Sequence, residues 1–397
     1  MRVAVVHHWF VTRGGGERVA ECIAALFPEA EIFTLVASPA GLPETLRGRT
    51  IHTSFLQRVP LGRTHHRHFL PLYPAATEGL DLRGFDLVLT SDSGPVKGVR
   101  LSPGAVQVCY CHSPMRYLWD GYGAYLEGMR GVTRAAFRAT AGRVRRWDAG
   151  AAQRVSYFLA NSGYVADRIR RCYGREAEVI APPIDLHRAE AVAGETPGEH
   201  YLCAGRLVPY KRTEILMEAC QRMGRRLRIA GAGPEEGRMR RLAAGEARIE
   251  FLGELPTEEL WREYARCRAL LFAADEDFGM VPLEAQACGR PVIAYGKGGS
   301  LETVRGVWPG ETGGEAGVRG VTGMYFGEQT AGAAAGAMEA WERGFEAGFA
   351  PGEARAWAAG FATPIFLERY RRFVLGKVPG AAAVCVSSEE AERTVSR

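Results

Sequence analysis

No stretch of the 397-residue chain approaches the roughly 18 consecutive apolar residues of a membrane-crossing helix, and Met1-Arg2-Val3-Ala4-Val5-Val6 lacks the layout of a secretory leader. The chain is therefore expected in the cytosol. Cys-x-x-Cys pairs are missing, and nine cysteines, an odd number, fit a reducing compartment better than a zinc site or a disulfide framework. Also absent are a Gly-x-Gly-x-x-Gly turn, an internal repeat and any recognised nucleic-acid module. Nucleic acid is thus not an expected partner. The net charge of +5 is modest, so clusters of charge carry more meaning than the total. Hydrophobic residues at 47% and charged residues at 24% are those of an ordinary globular protein, and the length exceeds one core, which points to two domains.

What is present is an alternation of short apolar runs and amphipathic segments, organised around residues 275–294. An apolar run, Ala269 to Ala273, leads to Asp275-Glu276-Asp277-Phe278-Gly279-Met280-Val281-Pro282-Leu283-Glu284, then a segment ending at Gly289 and a second apolar run. This predicts strand, loop, helix, strand, with Pro282 at the first helical position. Glu276 is placed at the mouth of the loop and Glu284 in the first helical turn, with seven residues between them. Amides around Phe278, Gly279, Met280 and Val281 lack helical partners and make an anion site. A carboxylate inside such a site repels phosphate unless it serves hydroxyls. Glu284 is therefore assigned to a ribose and Glu276 to a sugar or its reaction centre.

Further along, Tyr201-Leu202-Cys203-Ala204-Gly205-Arg206-Leu207-Val208-Pro209-Tyr210-Lys211 places Arg206 and Lys211 across a turn at a strand end, where both cations can converge on a departing diphosphate. At the other end of the chain, a strand over Met1–His7 and a polar loop, His8–Arg13, precede Gly14-Gly15-Gly16-Glu17, which opens a helix to about Leu26 and brings backbone close to a ligand. The strand Val106–Cys111 delivers His112 to a turn, and strand ends are where open α/β sheets hold ligand groups.

The Glu-x7-Glu spacing resembles the signature of retaining glycosyltransferases of family 4, which have the GT-B fold, and the resemblance runs from Met1 to about Phe373. Gly205-Arg206-Leu207-x-x-x-Lys211, Gly231-Ala232-Gly233-Pro234 and Gly14-Gly15-Gly16-Glu17, which resembles the family's Gly-Gly-x-Glu loop, carry it further. It implies an α/β protein of two doubly wound Rossmann-like domains facing across a cleft. The N-terminal, acceptor-side domain would span 1–182, completed by a C-terminal helix at about 364–375, and the nucleotide-sugar domain 183–363. It further implies donor diphosphate contacts from Gly15 and Gly16, a sugar contact from His112, and nucleoside contacts from Gly231 and Leu255 beside Glu284. No side chain stands out as a covalent nucleophile. The expected catalytic set is therefore His112, Glu276, Arg206 and Lys211, acting without a metal or other cofactor.

Ser113-Pro114-Met115-Arg116-Tyr117-Leu118-Trp119-Asp120 is similar to bacterial members that build surface polysaccharides. This implies mannose from GDP-mannose passing to a glycan or polyprenyl-diphosphate-linked acceptor. A UDP-sugar donor, a non-catalytic sugar-nucleotide sensor and an NAD-dependent oxidoreductase stay open as alternatives. The Arg-rich segment Gly131–Asp148, with Arg134, Arg138, Arg143, Arg145 and Arg146, suits either an anionic membrane surface or a solvated helix face. A basic loop with Arg63, His65, His66, Arg67 and His68 is placed near the acceptor. Gly306–Gly320 is expected to be a mobile insertion, and 381–397 a disordered tail.

Overall fold

The computed structural model describes residues 1–65, 69–311 and 319–396. His66, Arg67 and His68 of the basic loop, and 312–318 of the expected insertion, lie outside them. Among the described residues no helix is long and apolar enough to cross a membrane.

The chain forms two compact units, one of Met1–Pro183 with Thr363–Arg397, the other of Ile184–Ala362. In the first, seven strands pair in parallel: β1 (Val3–Phe10), β2 (Glu31–Ala37), β3 (Ile51–Thr53), β4 (Leu87–Asp92), β5 (Val106–Cys111), β6 (Tyr157–Ala160) and β7 (Ala177–Val179), in the order β3-β2-β1-β4-β5-β6-β7. The second unit repeats the plan with β8 (Tyr201–Ala204), β9 (Leu227–Ala230), β10 (Ile249–Gly253), β11 (Leu270–Phe272), β12 (Val292–Tyr295), β13 (Gly306–Val307) and β14 (Gly323–Phe326), in the order β10-β9-β8-β11-β12-β14-β13. Each order reverses once, between β1 and β4 and between β8 and β11. Such reversals leave a crevice beyond the carboxyl ends of the strands, where ligands of open α/β sheets bind.

Both faces of the first sheet are covered, so its strands read as nearly continuous apolar runs. Along β1, Val3 and Val5 enter one core with Ile23, Leu26 and Phe366, while Ala4 and Val6 enter another with Tyr73, Leu118 and Val144. In the second unit Ile229, Leu271, Ile293 and Trp341 share one core.

Three sequence expectations are corrected. The first strand does not end at His7, because β1 continues through Trp9 and Phe10, whose partners are Val36 and Ala37. A polar His8 is tolerated there because Ser93 Oγ is 3.1 Å from its Nε2. Pro282 is the third helical residue, since the helix is Met280–Ala287 with Gly279 (φ +94°) before it, and Glu284 consequently sits in the second turn. The tail is also ordered. Ser387 Oγ accepts a hydrogen bond from Glu390 N, opening a helix over Ser388–Val395, and Ala391 and Val395, four residues apart, are buried with Phe366 and Tyr370 in the first core. Its polar composition hides this single apolar stripe.

A fully buried ion network ties the first unit together behind β4. Lys97 Nζ pairs with Asp92 Oδ2 at 3.2 Å and Asp148 Oδ1 at 2.5 Å, and donates to the Gly94 carbonyl at 2.9 Å. Asp92 Oδ1 accepts from the amides of Gly94 and Val96, and Asp148 Oδ2 from Trp119 Nε1 and the Tyr173 hydroxyl, both at 2.8 Å.

Candidate functional site

The first unit places a group of histidines where its strand order reverses. His7 Nδ1 is 3.0 Å from the Ser91 carbonyl oxygen and 3.1 Å from Ser91 Oγ, and Ser91 Oγ is 2.8 Å from His112 Nε2. A carbonyl only accepts, so His7 carries its proton on Nδ1. The Ser91 hydroxyl can donate to His112 Nε2 at 2.8 Å, a closer acceptor than the Gly16 carbonyl at 3.5 Å, and in that arrangement the His112 proton is on Nδ1. Burial pushes His112 down to about 3, helped by the neighbouring His8, and pushes His7 well below the ordinary histidine value, helped by His8 and His112. His112 is thus a neutral ring presenting an N–H, not an imidazolium. Its backbone is fixed as well, since its amide donates to the Asp92 carbonyl at 2.7 Å and its carbonyl accepts from Asn161 Nδ2 at 3.0 Å.

Gly15 and Gly16 are the first two residues of the Gly15–Leu26 helix, which has no side-chain cap at Gly14. A Cβ on Gly16 would stand 3.6 Å from His7 Cε1 and 3.7 Å from His112 Nε2, so any longer side chain would crowd the histidines. The sequence reading brought His112, Gly15 and Gly16 together but missed His7, His8 and Ser91. The available signal was two adjacent histidines inside a β-branched run, a polar interruption that a buried strand accepts only with partners.

In the second unit the loops after β8 and β11 meet. Lys211 Nζ forms an ion pair with Glu276 Oε1. The sequence assigns Lys211 to the diphosphate and Glu276 to the sugar, and here the two hold each other. Burial disfavours the Lys211 ammonium, but the Glu276 carboxylate outweighs it and the net shift is upward. Arg206 is exposed, and among the described residues no carboxylate pairs with it. Glu284 Oε2 accepts from the Tyr264 hydroxyl at 2.8 Å, a partner absent from the sequence reading, which leaves Oε1 for a ligand. Burial pushes the Glu284 carboxyl up, and the Tyr264 hydrogen bond only partly offsets this.

Two glycines owe their identity to neighbouring backbone. A Cβ on Gly231 would lie 2.1 Å from the Gly205 carbonyl oxygen, and one on Gly299 2.1 Å from that of Phe278. Gly231, expected at the nucleoside, is thus required for the β8 and β9 loops to pass each other. Gly299, whose amide donates to the Glu276 carbonyl at 2.8 Å, clamps the acidic loop that carries Phe278 and Gly279. The first-turn amides of Met280 and Val281 have no carbonyl four residues back in their helix. Leu255, after β10, is half-buried.

Among the described residues no group of three or more His, Cys, Asp or Glu side chains is placed to hold a metal ion.

Comparison with known proteins adds to this geometry. The family model for Glycosyltransferase Family 4 matches residues 13–188, and that for Glycosyl transferases group 1 matches 190–313. A D-inositol 3-phosphate glycosyltransferase of Geodermatophilus obscurus is 33% identical over 183 residues, which are 37% of this chain and 39% of that protein. A GDP-mannose-dependent alpha-(1-6)-phosphatidylinositol monomannoside mannosyltransferase of Mycolicibacterium smegmatis is 33% identical over 171 residues, 36% of this chain and 45% of that protein. The matches thus span less than half the length of these curated relatives. Among solved structures, Anabaena HepE in complex with UDP-glucose aligns over 95% of this chain and 100% of its own, with a TM-score of 0.66 at 17% identity. Sucrose-phosphate synthase of Thermosynechococcus elongatus covers 96% of this chain and all of its own, with a TM-score of 0.67 at 16% identity. With the models for Glycosyltransferase Family 4 and Glycosyl transferases group 1 lying consecutively on its two Rossmann-like units, the chain is a glycosyltransferase of the GT-B fold.

Proposed function

We propose that the protein transfers a hexose from a sugar nucleotide to an acceptor hydroxyl with retention of configuration and without a metal. The observation that carries this reading is the Lys211–Glu276 pair beside an open Arg206 at the β8/β11 reversal. A diphosphate arriving there meets one uncommitted guanidinium and one ammonium already holding a carboxylate. As the sugar leaves and negative charge grows on the diphosphate, both cations gain most, which is where an enzyme accelerates its reaction. The amides of Gly279, Met280 and Val281, with those of Gly15 and Gly16, are assigned to the diphosphate, and Leu255 to the base. Neutral His112 offers its Nδ1–H to the donor sugar. Glu284 accepts the ribose hydroxyls through the oxygen that Tyr264 leaves open.

Mannose from GDP-mannose is the proposed donor, supported by the GDP-mannose dependence of the M. smegmatis relative. A UDP-sugar is the second reading, since HepE was solved with UDP-glucose. Thermal shifts with GDP, UDP and ADP decide between them, because a ligand at a hundred times its dissociation constant stabilises by about 2.7 kcal/mol. No shift with any of the three would overturn the transferase reading.

Glu284→Gln is expected to weaken nucleoside diphosphate binding by about 1.5–3 kcal/mol, the worth of hydrogen bonds to a charged acceptor. The same variant is expected to melt higher without ligand at neutral pH. A carboxyl whose folded value is raised opposes folding while ionised, so the gain should vanish as pH falls and the wild-type group takes up its proton. Glu276→Gln, by contrast, releases Lys211 and should keep nucleoside diphosphate affinity while losing transfer. Calorimetry and melting curves check both; unchanged affinity in Glu284→Gln would remove its ribose role.

The acceptor is proposed to be a glycan or polyprenyl-diphosphate-linked saccharide at the inner face of a cytoplasmic membrane. The Gly131–Arg154 helix supports this with exposed Arg134, Arg138, Arg143 and Arg146 and with Val132, 87% exposed. Arg145 does not belong to that face, for its Nε donates to the Leu118 carbonyl at 2.5 Å and its guanidinium lies over Trp119 and Tyr122. Replacing Arg138 and Arg146 with Ala should cost about 1 kcal/mol each in binding to anionic liposomes, a roughly 30-fold loss for the pair. Unaltered partitioning at low salt would make this a solvated face.

A further inference from the structure

A large groove of the second unit lies at the edge of its sheet opposite the loops described above. All strands of a parallel sheet enter from one edge, and here the entries carry arginine: Arg248 before β10, Arg226 before β9, Arg268 before β11 and Arg290 before β12. With Arg225 these residues line an open groove of about 1060 Å³. Some are neutralised. Arg268 pairs with Glu342 at 3.1 Å and Glu346 at 2.5 Å, Arg225 with Glu342, and Arg248 with Glu246 at 3.3 Å.

Arg226 and Arg290 differ, because among the described residues no carboxylate pairs with either. Arg290 Nε is buried without a hydrogen-bond partner. Its charged neighbour is another guanidinium, that of Arg355, which crosses Gly289 so closely that a Cβ there would stand 2.9 Å from Arg355 Cζ. A buried donor left unpaired beside a like charge is costly, and native structures rarely keep one unless something outside completes it.

We propose that this groove is a second anion site, taking a soluble phosphate-bearing metabolite held from the β12 entry by Arg290 and from the β9 entry by Arg226. Guanidinium forks match phosphate oxygens two at a time, which a lysine cannot do. The volume admits a ligand as large as a sugar phosphate or a nucleotide. The site belongs to the second unit alone and is independent of the proposed transfer reaction.

The test is calorimetric titration of inorganic pyrophosphate into the wild type, Arg226→Ala, Arg290→Lys and Lys211→Ala. Pyrophosphate is expected to bind the wild type at two places. Lys211→Ala should leave the groove's binding event unchanged, while Arg226→Ala and Arg290→Lys each weaken that event about tenfold, as loss of a charge-assisted contact does. Arg226 is exposed, so its variant keeps the fold even if Arg290→Lys does not. Isotherms for Arg226→Ala that match the wild type would overturn the proposal. So would unchanged pyrophosphate binding with lost sedimentation on phosphatidylglycerol vesicles, which would assign the groove to lipid headgroups.

Discussion

Lys211→Ala is expected to lower turnover with the intact sugar nucleotide about 100- to 1000-fold, the usual loss when a preorganised contact to developing charge is removed. Nucleoside diphosphate affinity should fall much less. In the free protein the Lys211 ammonium already holds Glu276, so a resting diphosphate gains only the difference between two anionic partners. The departing diphosphate, more negative than the bound donor, gains more. Removing Lys211 also leaves the Glu276 carboxylate unpaired beside the anion it must tolerate. The double variant Lys211→Ala/Glu276→Gln should therefore lose less than the sum of the two single losses. Steady-state kinetics with the donor, beside calorimetry with the nucleoside diphosphate, reads both quantities. A raised KM with kcat unchanged would show that Lys211 holds only the ground state.

The second large effect is on stability. Lys97→Ala should destabilise the protein by about 3–5 kcal/mol, because two buried carboxylates would face each other without their cation. Burial opposes the Lys97 charge, yet Asp148 and Asp92 outweigh it and push its value up. A lysine with a raised folded value stabilises at every pH below the ordinary lysine range and ceases to do so only as pH climbs through that raised value. Wild-type stability should thus be lost on the alkaline side. The variant should show the opposite trend. Burial already pushes Asp92 up even with Lys97 present, so its carboxyl should take up a proton at mild acidity once the lysine is gone. Melting curves of the variant at pH 5 and pH 8 check this; a deficit independent of pH would mean that the loss is one of packing alone. Because the Asp92 carbonyl holds the His112 amide, the same variant should also misplace the ring that faces the donor sugar.

Much of this was legible in the chain. Parallel strands buried on both faces announce themselves as apolar runs, and the runs locate the strand ends after which Arg206 and Glu276 follow, with Lys211 and Glu284 in the turn and the helix beyond them. What stayed hidden depends on pairs distant in sequence. Nothing near Lys97 points to Asp148, fifty-one residues on, and nothing near Glu284 points to Tyr264. Gly231 and Gly299 were readable as close approaches but not as approaches to the chain's own carbonyls, because a glycine records that space is short and not what fills it. The tail helix escaped for the opposite reason: two apolar side chains one turn apart are too few to stand out from polar surroundings, yet enough to cap an existing core.

The chain leaves the first unit at Pro183 and returns to it at Thr363. Phe366, Tyr370 and Val374 fill the core beneath β1 and β4, and Val395 receives Arg18 Nη1 on its carbonyl at 2.8 Å. During translation, then, the first half to emerge is the last to be finished. Residues 184–362 can close on themselves as soon as they clear the ribosome, whereas residues 1–183 must wait, at ordinary elongation rates, for tens of seconds with an apolar face uncovered. The later-made unit is expected to fold first, and a stalled nascent chain ending at Ala362 and extended by an unstructured linker that clears the ribosome should display a protease-resistant second unit attached to a protease-sensitive first.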